Sequence, residues 1–257
     1  MSRTTDRLNP KNLISLAREQ YDVQQRSQLP SISIELPSKG KTYPAEHPLG
    51  AGTIEMRYPT AYDEDILTNT SYIKQGIVID KLIESLVITP IDVNDLIVAD
   101  KEKLILSARI LAYGPEYPVV VKDPKTKLDL SRIIDLNKIV SSEITIDSDD
   151  AGEFEYIIDE SSKLKFIIPT AGILNSLSDD HAISDLLNGI IQEVNGNRDA
   201  EAIRTFVRYN FLSEQSKKFR NYVADHTPRL DTMYEFEGEN GGTFSAGFQF
   251  GPDLFWS

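Results

Sequence analysis

The residue pattern predicts an α+β fold, with small antiparallel sheets and helical segments, and three observations carry that expectation. Apolar residues alternate at period two in short neighbouring runs, as in Ile32, Ile34 and Leu36 followed by Ile54, Met56 and Tyr58. Other stretches repeat at helical spacing, as in Val78, Leu82, Ile83 and Leu86. The runs are punctuated by turn-forming clusters such as Asp123-Pro124, Ser148–Gly152 and Asp159–Ser162. With 257 residues, 40% of them hydrophobic, the chain is long enough to bury a core without staples, as one large domain or two modest ones.

Residues 1–30 read as an N-terminal amphipathic arm and tether. Asn9 caps a helix with Pro10 at its first position, and Leu13, Leu16, Ala17 and Tyr21 form one apolar stripe before a Gln-rich stretch. A lone helix of this kind is marginal in water, so the stripe must dock on its own domain or on another chain.

Residues 31–115 form an α+β core. Its two opening strands are joined by Pro37-Ser-Lys-Gly-Lys-Thr-Tyr-Pro44 and a loop ending Gly50-Ala-Gly52. Thr60-Ala-Tyr-Asp63 is a capping box in which the Thr60 hydroxyl closes a helix N-terminus, with Ile66 and Leu67 facing inward. A second helix follows Gly76 and stops at Thr89-Pro90. A third begins at Asp100, carries Leu104, Ile105, Ala108, Leu111 and Ala112, and ends at Gly114-Pro115.

Residues 116–168 are a short-strand β region: Val119–Lys122, Lys127–Leu130, Glu143–Ile146, Glu153–Ile158 and Lys163–Ile168. Residues 169–227 are helical, with helices expected over 180–194, 199–212 and 214–225. Residues 228–257 form a terminal β-hairpin, Met233–Glu237 with Thr243–Phe250, and an aromatic tail.

Composition removes several functions. There is no Cys, which excludes disulfides, thiolate metal sites and cysteine nucleophiles. The 27 Lys and Arg against 40 Asp and Glu leave a net charge of −13, opposed to nucleic-acid binding by general charge. No apolar run approaches membrane-spanning length, and Met1–Leu8 lacks the apolar core of a signal peptide, so no membrane partner is expected.

Chemistry-bearing patterns are weak. His47, His181 and His226 are solitary, without metal-ligand spacing. Asp147–Gly152 begins like a calcium loop but has Ala151 at position 5 and Ile158 at position 12, and Asn195–Asp199 fails in the same way; both read as turns. Phosphate-binding glycine motifs are absent. Glu143 to Glu160 holds eight acids and no Lys or Arg, a solvated face or a docking face for a basic partner. Within it Glu153 and Glu155 share a strand face, the only arrangement resembling a hydrolase carboxylate pair. Residues 198–229 invert the charge, with seven Lys and Arg against four acids: a solvated helix face or an electrostatic seam to an acidic neighbour. Seven of the 22 aromatics fall in 233–257, and Trp256 is either tucked onto its own hairpin or an anchor for a partner. Expected catalytic, cofactor-binding and metal residues are therefore none.

Leu36-Pro-Ser-Lys-Gly-Lys-Thr-Tyr-Pro44, Gly52-Thr-Ile-Glu-Met-Arg57, Thr60-Ala-Tyr-Asp-Glu-Asp-Ile-Leu67 with Asn69, Ile110-Leu-Ala-Tyr-Gly-Pro-Glu-Tyr117 and Leu254-Phe-Trp256 form an ordered set. In this set the chain resembles the baseplate hub subunit family of T4-like contractile-tailed bacteriophages, from about residue 36 to the end. The resemblance implies a structural component of the tail baseplate hub that is not an enzyme, located in the virion and assembled in the host cytoplasm. Its partners would be other hub and tail proteins. A hub-assembly chaperone absent from the virion and a peptidoglycan hydrolase are the alternatives. Many proteins of this kind carry two Cys-x-x-Cys pairs, as in a zinc ribbon; here Asp123–Thr126 and Gly238–Gly242 stand in their place without cysteines. The resemblance implies that these turns still lie side by side, with no zinc. Candidate partner contacts are Leu13, Leu16 and Tyr21 on the arm, Lys39 and Tyr43 on the Pro37–Pro44 loop, and Phe255 and Trp256 at the tail. Copy number and oligomeric state are not legible.

Overall fold

The computed structural model describes residues 29–248 and 250–256, so the arm contacts Leu13, Leu16 and Tyr21 lie outside the described residues. Strands β1 (Ser31–Glu35) and β2 (Thr53–Arg57) pair antiparallel, with Ile34 opposite Ile54 and Ile32 opposite Met56, which gathers their apolar side chains on one face. Helices α1 (Ala61–Leu67), α2 (Thr70–Gln75) and α3 (Val78–Leu86) follow. The Asn69 side chain caps α2 by accepting from the Ser71 and Tyr72 N–H groups. Helix α3 stops short of Thr89-Pro90, because Val87 turns extended and bridges to Met56 on β2.

Helix α4 (Val98–Tyr113) starts two residues before the expected Asp100 and is the longest in the described chain. Beyond it β3 (Glu116–Lys122) and β4 (Asp129–Asp135) form a hairpin, and β5 (Phe154–Asp159), β6 (Ser162–Phe166) and β7 (Ile191–Val194) form a three-stranded antiparallel sheet. Helices α5 (Ala171–Asn175), α6 (Ala182–Ile190), α7 (Ala200–Thr205) and α8 (Ser213–His226) pack around that sheet and α4. The hairpin β8 (Met233–Glu237) and β9 (Thr243–Gly247) precedes a short 3-10 turn, Pro252–Phe255. Small antiparallel sheets with helices, and no closed barrel, make this an α+β fold.

Several expected elements are corrected. Glu143–Ile146 is not a strand: Ser141 makes only an isolated bridge to Leu230, and the Ser142 N–H bonds the Arg229 carbonyl, so the segment runs as irregular chain. The expected 180–194 helix ends at Ile190, and Ile191–Val194 peels into β7 with Ile191 opposite Phe166 and Val194 opposite Leu164. The 199–212 helix is α-helical only to Thr205. It widens into a π-turn over Phe206–Asn210 in which the Phe211 N–H reaches back to the Phe206 carbonyl at 2.9 Å. That extra residue stacks the Phe206 and Phe211 rings, 5.1 Å apart, on the core side. The last strand ends at Gly247 rather than Phe250.

Two cores result. The main one draws on residues from Ile34 to Phe255, so all the segments expected as separate regions beyond the arm share one interior. The smaller one lies under the two hairpins and includes Leu106, Val121, Leu130, Ile134 and Phe236. Helix α4 serves both, with Leu104, Ile105 and Ala108 in the first and Leu106 in the second.

The loop Pro37–Pro44 is tied down to the start of α4. The Asp100 carboxylate accepts from the Ser38 N–H at 2.9 Å and from the Tyr43 hydroxyl at 2.6 Å, while that hydroxyl accepts from the Ile97 N–H at 3.0 Å. Tyr43 and Asp100 are both buried. Burial pushes the Asp100 carboxyl above the ordinary range despite these donors, and it pushes the Tyr43 phenol well up, helped by the adjacent carboxylate. The turn Asp149–Glu153 rests on the same loop: Ala45 N–H bonds the Asp150 carbonyl, and a Cβ on Gly152 would lie 2.6 Å from the Tyr43 backbone. With φ at +74°, Gly152 has both the conformation and the contact that only glycine tolerates.

Tyr43→Phe strips the Ile97 N–H and one Asp100 oxygen of their partner inside the protein. We expect it to cost about 1–3 kcal/mol in urea unfolding; an unchanged midpoint would show that the loop is not held through this hydroxyl.

Candidate functional site

Three of the segments that carry the resemblance, 60–67, 110–117 and 254–256, converge on one place, while the Pro37–Pro44 loop lies at the other end of α4. A cleft of about 190 Å³ is lined by Pro59, Thr60 and Glu64 at the start of α1, by Ala112 and Tyr113 at the end of α4, and by Phe255. Beneath it, Arg57 on β2 and Asp63 on α1 form a buried bidentate pair at 2.8 and 2.7 Å, and the Ser85 hydroxyl of α3 donates to Asp63 at 2.8 Å. The capping box expected at Thr60 is present, with the Thr60 side chain over the Asp63 N–H and the Asp63 carboxylate accepting from the Thr60 N–H at 2.7 Å and from its hydroxyl at 3.0 Å. Burial alone would raise the Asp63 carboxyl; the Arg57, Thr60 and Ser85 donors outweigh it and hold the group below the ordinary carboxylate range.

The tail is fastened by Arg109, a buried residue on α4. Its guanidinium donates to the Leu254 carbonyl at 2.9 Å, to Gly114 at 3.0 Å and to Glu116 at 3.4 Å, and lies over the Tyr113 and Tyr117 rings at 5.1 and 5.6 Å. Burial lowers its pKa while the two tyrosines oppose that. Three backbone carbonyls from the end of α4, β3 and the tail thus share one cation. A charged residue within the apolar repeat Leu104, Ile105, Ala108 and Leu111 was the signal that would have flagged it.

Exposure sorts the expected contacts. Tyr43 and Phe255 are interior, at 5% and 7% exposed, so each anchors its segment instead of presenting a surface. Trp256 is 47% exposed, and Tyr62 and Tyr113, at 64% and 46%, add two exposed aromatics on the cleft-forming elements. Sequence reasoning missed both tyrosines, because neither breaks a local pattern. Lys39 sits at the loop turn with φ of 51° and pairs across 2.6 Å with exposed Glu143, which raises its pKa.

The other candidates resolve into local structure. Glu153 is buried and held by Arg198 at 2.8 and 2.7 Å, Glu155 pairs with Lys163 at 3.1 Å, and Lys165 pairs with Asp149 at 2.6 Å, so much of the acidic run is neutralised by its own neighbours. His47 accepts from the Leu49 N–H, while the His181 and His226 rings bond the Asp180 and Tyr222 carbonyls. Asp149 accepts from the Ala151 and Glu153 N–H groups, which makes Asp147–Gly152 a turn. Among the described residues no group of three or more His, Asp or Glu side chains is placed to hold a metal, and no helix is long and apolar enough to cross a membrane. The turns Asp123–Thr126 and Gly238–Gly242 do abut. A Cβ on Gly238 would lie 2.8 Å from the Asp123 carboxylate, which accepts from the Lys125 and Thr126 N–H groups at 2.7 and 3.2 Å. Those backbone donors hold the Asp123 carboxyl low.

A family model described as "T4 bacteriophage base plate protein" matches residues 29–239. No curated protein and no solved structure gives a significant match.

Two measurements probe the geometry. Asp63→Asn leaves Arg57 buried without its counter-charge, and we expect a loss of about 3–5 kcal/mol at neutral pH by urea unfolding. Because the folded-state pKa of Asp63 is depressed, its contribution is present above about pH 4 and lost as pH falls through the folded value. The variant should therefore lose less stability than the parent on acidification; parallel pH profiles would show that the pair contributes nothing. Separately, Arg109→Lys keeps the charge but not the fork, and carboxypeptidase should then remove the 252–257 segment at least tenfold faster. Unchanged digestion would sink the clamp.

Proposed function

The chain belongs to the T4 bacteriophage base plate protein family, and from that premise we propose that it is a structural component of the hub of a contractile phage tail baseplate, working through contacts with neighbouring subunits. The family gives a structural role in the phage baseplate and a place in the virion tail. The hub assignment and permanent incorporation are our reading. The observation that carries it is the convergence of α1, the end of α4 and the tail on one cleft, with Tyr62, Tyr113 and Trp256 exposed on those elements. Tyr and Trp are the side chains that most often anchor protein interfaces.

Beneath the surface, the Arg57–Asp63 pair and the Arg109 clamp hold the contributing segments in fixed geometry, which lowers the entropy lost on docking. The engagement of Glu153 by Arg198 and of Glu155 by Lys163 supports action by contact over wall hydrolysis. The abutting Asp123 and Gly238 turns support reading the β3–β4 and β8–β9 hairpins as a zinc-ribbon-like frame in which the Asp123 carboxylate, braced by the N–H groups of its own turn, packs against the facing turn in place of thiolates and metal.

Quantitative mass spectrometry of purified, DNA-filled particles tests incorporation. A fixed stoichiometry of a few copies per tail is expected; absence from particles with abundance in infected-cell lysate would make the chain an assembly factor. The surface is tested with Trp256→Ala and Tyr62→Ala together, which should abolish co-purification with baseplate subunits while leaving the unfolding midpoint unchanged. Retained co-purification would remove the cleft from the interface.

A further inference from the structure

A second surface lies in the helical region. An apolar groove of about 330 Å³ runs between α6 and α8. Its α8 wall is built by Arg220, Val223 and Ala224, at i, i+3 and i+4 on one helix face, with Thr227 at the C-cap continuing it. Its α6 wall presents Leu186 and Ile190, one turn apart, and Leu174 of α5 and exposed Val98 close the ends. An apolar i, i+4 pair on α6 faces the Val223–Ala224 step of α8 across the groove, which leaves a seat for a third helix.

Charge decides which helix fits. Of the basic residues between 198 and 229, Arg198, Arg204 and Lys218 are spent on Glu153 and Glu193, on Glu201 and on Glu214. Arg220 and Arg229, the two cations that line the groove, have no ion-pair or side-chain hydrogen-bond partner among the described residues. The Arg220 Nε is shut away from solvent and still finds no acceptor, a costly state for a guanidinium. The Thr227 hydroxyl is already committed to the Val223 carbonyl. An apolar floor bounded by two unspent arginines asks for apolar side chains flanked by carboxylates.

The chain itself does not supply that. The arm, residues 1–28, carries Arg3, Arg7, Lys11, Arg18 and Arg26 against Asp6, Glu19 and Asp22, the wrong sign for this groove. Helix α1, rich in acids, has already buried Ile66 and Leu67, so a second copy cannot offer it. We propose that the groove between α6 and α8 receives an acidic amphipathic helix of a different protein. Two apolar side chains one turn apart seat against Leu174, Leu186 and Ala224, over a floor of buried Ile190 and Val223, and carboxylates reach Arg220 and Arg229.

The test uses the full chain and fluorescence anisotropy with a fluorescein-labelled helical peptide bearing leucines at i and i+4 flanked by glutamates, beside the same peptide with lysines. The glutamate peptide should bind saturably and at least tenfold more tightly than the lysine peptide. Arg220→Glu with Arg229→Glu should reverse that preference. Exposed Arg229→Glu alone, which leaves the interior untouched, should weaken glutamate-peptide binding severalfold. Ala224→Trp should block both peptides without altering circular dichroism. Equal binding of the two peptides, or binding insensitive to Ala224→Trp, overturns the proposal. So does binding that appears only in the Leu13→Glu, Leu16→Glu variant, which would make the arm the occupant. A parent dimer that Ala224→Trp converts to monomer would assign the groove to a second copy and overturn the proposal as well.

Discussion

Helix α4 is the constraint on which the rest of the protein depends. It buries Leu104, Ile105 and Ala108 on one side and Leu106 on another, so from Leu104 onward it is packed on two faces and serves as a wall between the two cores. Each end carries a buried charge that cannot go unpaired. Asp100 in the first turn takes the Ser38 N–H and the Tyr43 hydroxyl, and Arg109 near the last turn takes three carbonyls. The loop after β1 and the tail after β9 are therefore positioned by the same helix, although they lie more than 200 residues apart in the chain. The apolar faces supply the driving force; the two charges set where the irregular segments must sit.

How much of this was legible depended on range. Local rules served well: the alternation in β1 and β2, the capping box at Thr60, the apolar face of α3 and the turn at Asp147–Gly152 are decided by residues a few positions apart. The failures have a common physical source in tertiary packing. Ile191–Val194 has the apolar spacing to continue α6, yet pairing with β6 wins because it places Ile191 and Val194 on the sheet. The π-turn at Phe206–Asn210 costs helical regularity and gains a second ring in the core, which no local pattern announces. Glu143–Ile146 alternates like a strand but finds no partner strand.

At the site, the same limit inverted two readings. Tyr43 and Phe255 sit in loop-like, glycine-flanked sequence where aromatics suggest recognition, yet each is drawn inward by a partner far along the chain. Asp63 was legible as a cap, but its bond to Arg57 was not, because Arg57 follows Met56 on a strand whose alternation placed it outside. The acidic run from Glu143 to Glu160 reads as a solvated or docking face because its counter-charges lie outside it, Lys39 before and Lys163, Lys165 and Arg198 beyond. The exposed pairs of Lys163 and Lys165 are screened by water, so their main effect is on register and on which surface remains charged, whereas Arg198 neutralises the buried Glu153.

The Arg109 clamp has a consequence in time. Strand β1 begins at residue 31, and the carbonyl that completes the Arg109 fork belongs to residue 254. At about 5–20 residues per second of synthesis, roughly 11–45 seconds separate the two. Through that interval the interior is open where Leu254 and Phe255 will close it, and Arg109 lacks its last acceptor. A growing chain is thus left exposed to chaperones and proteases until its tail arrives, and the cleft takes its final shape only then.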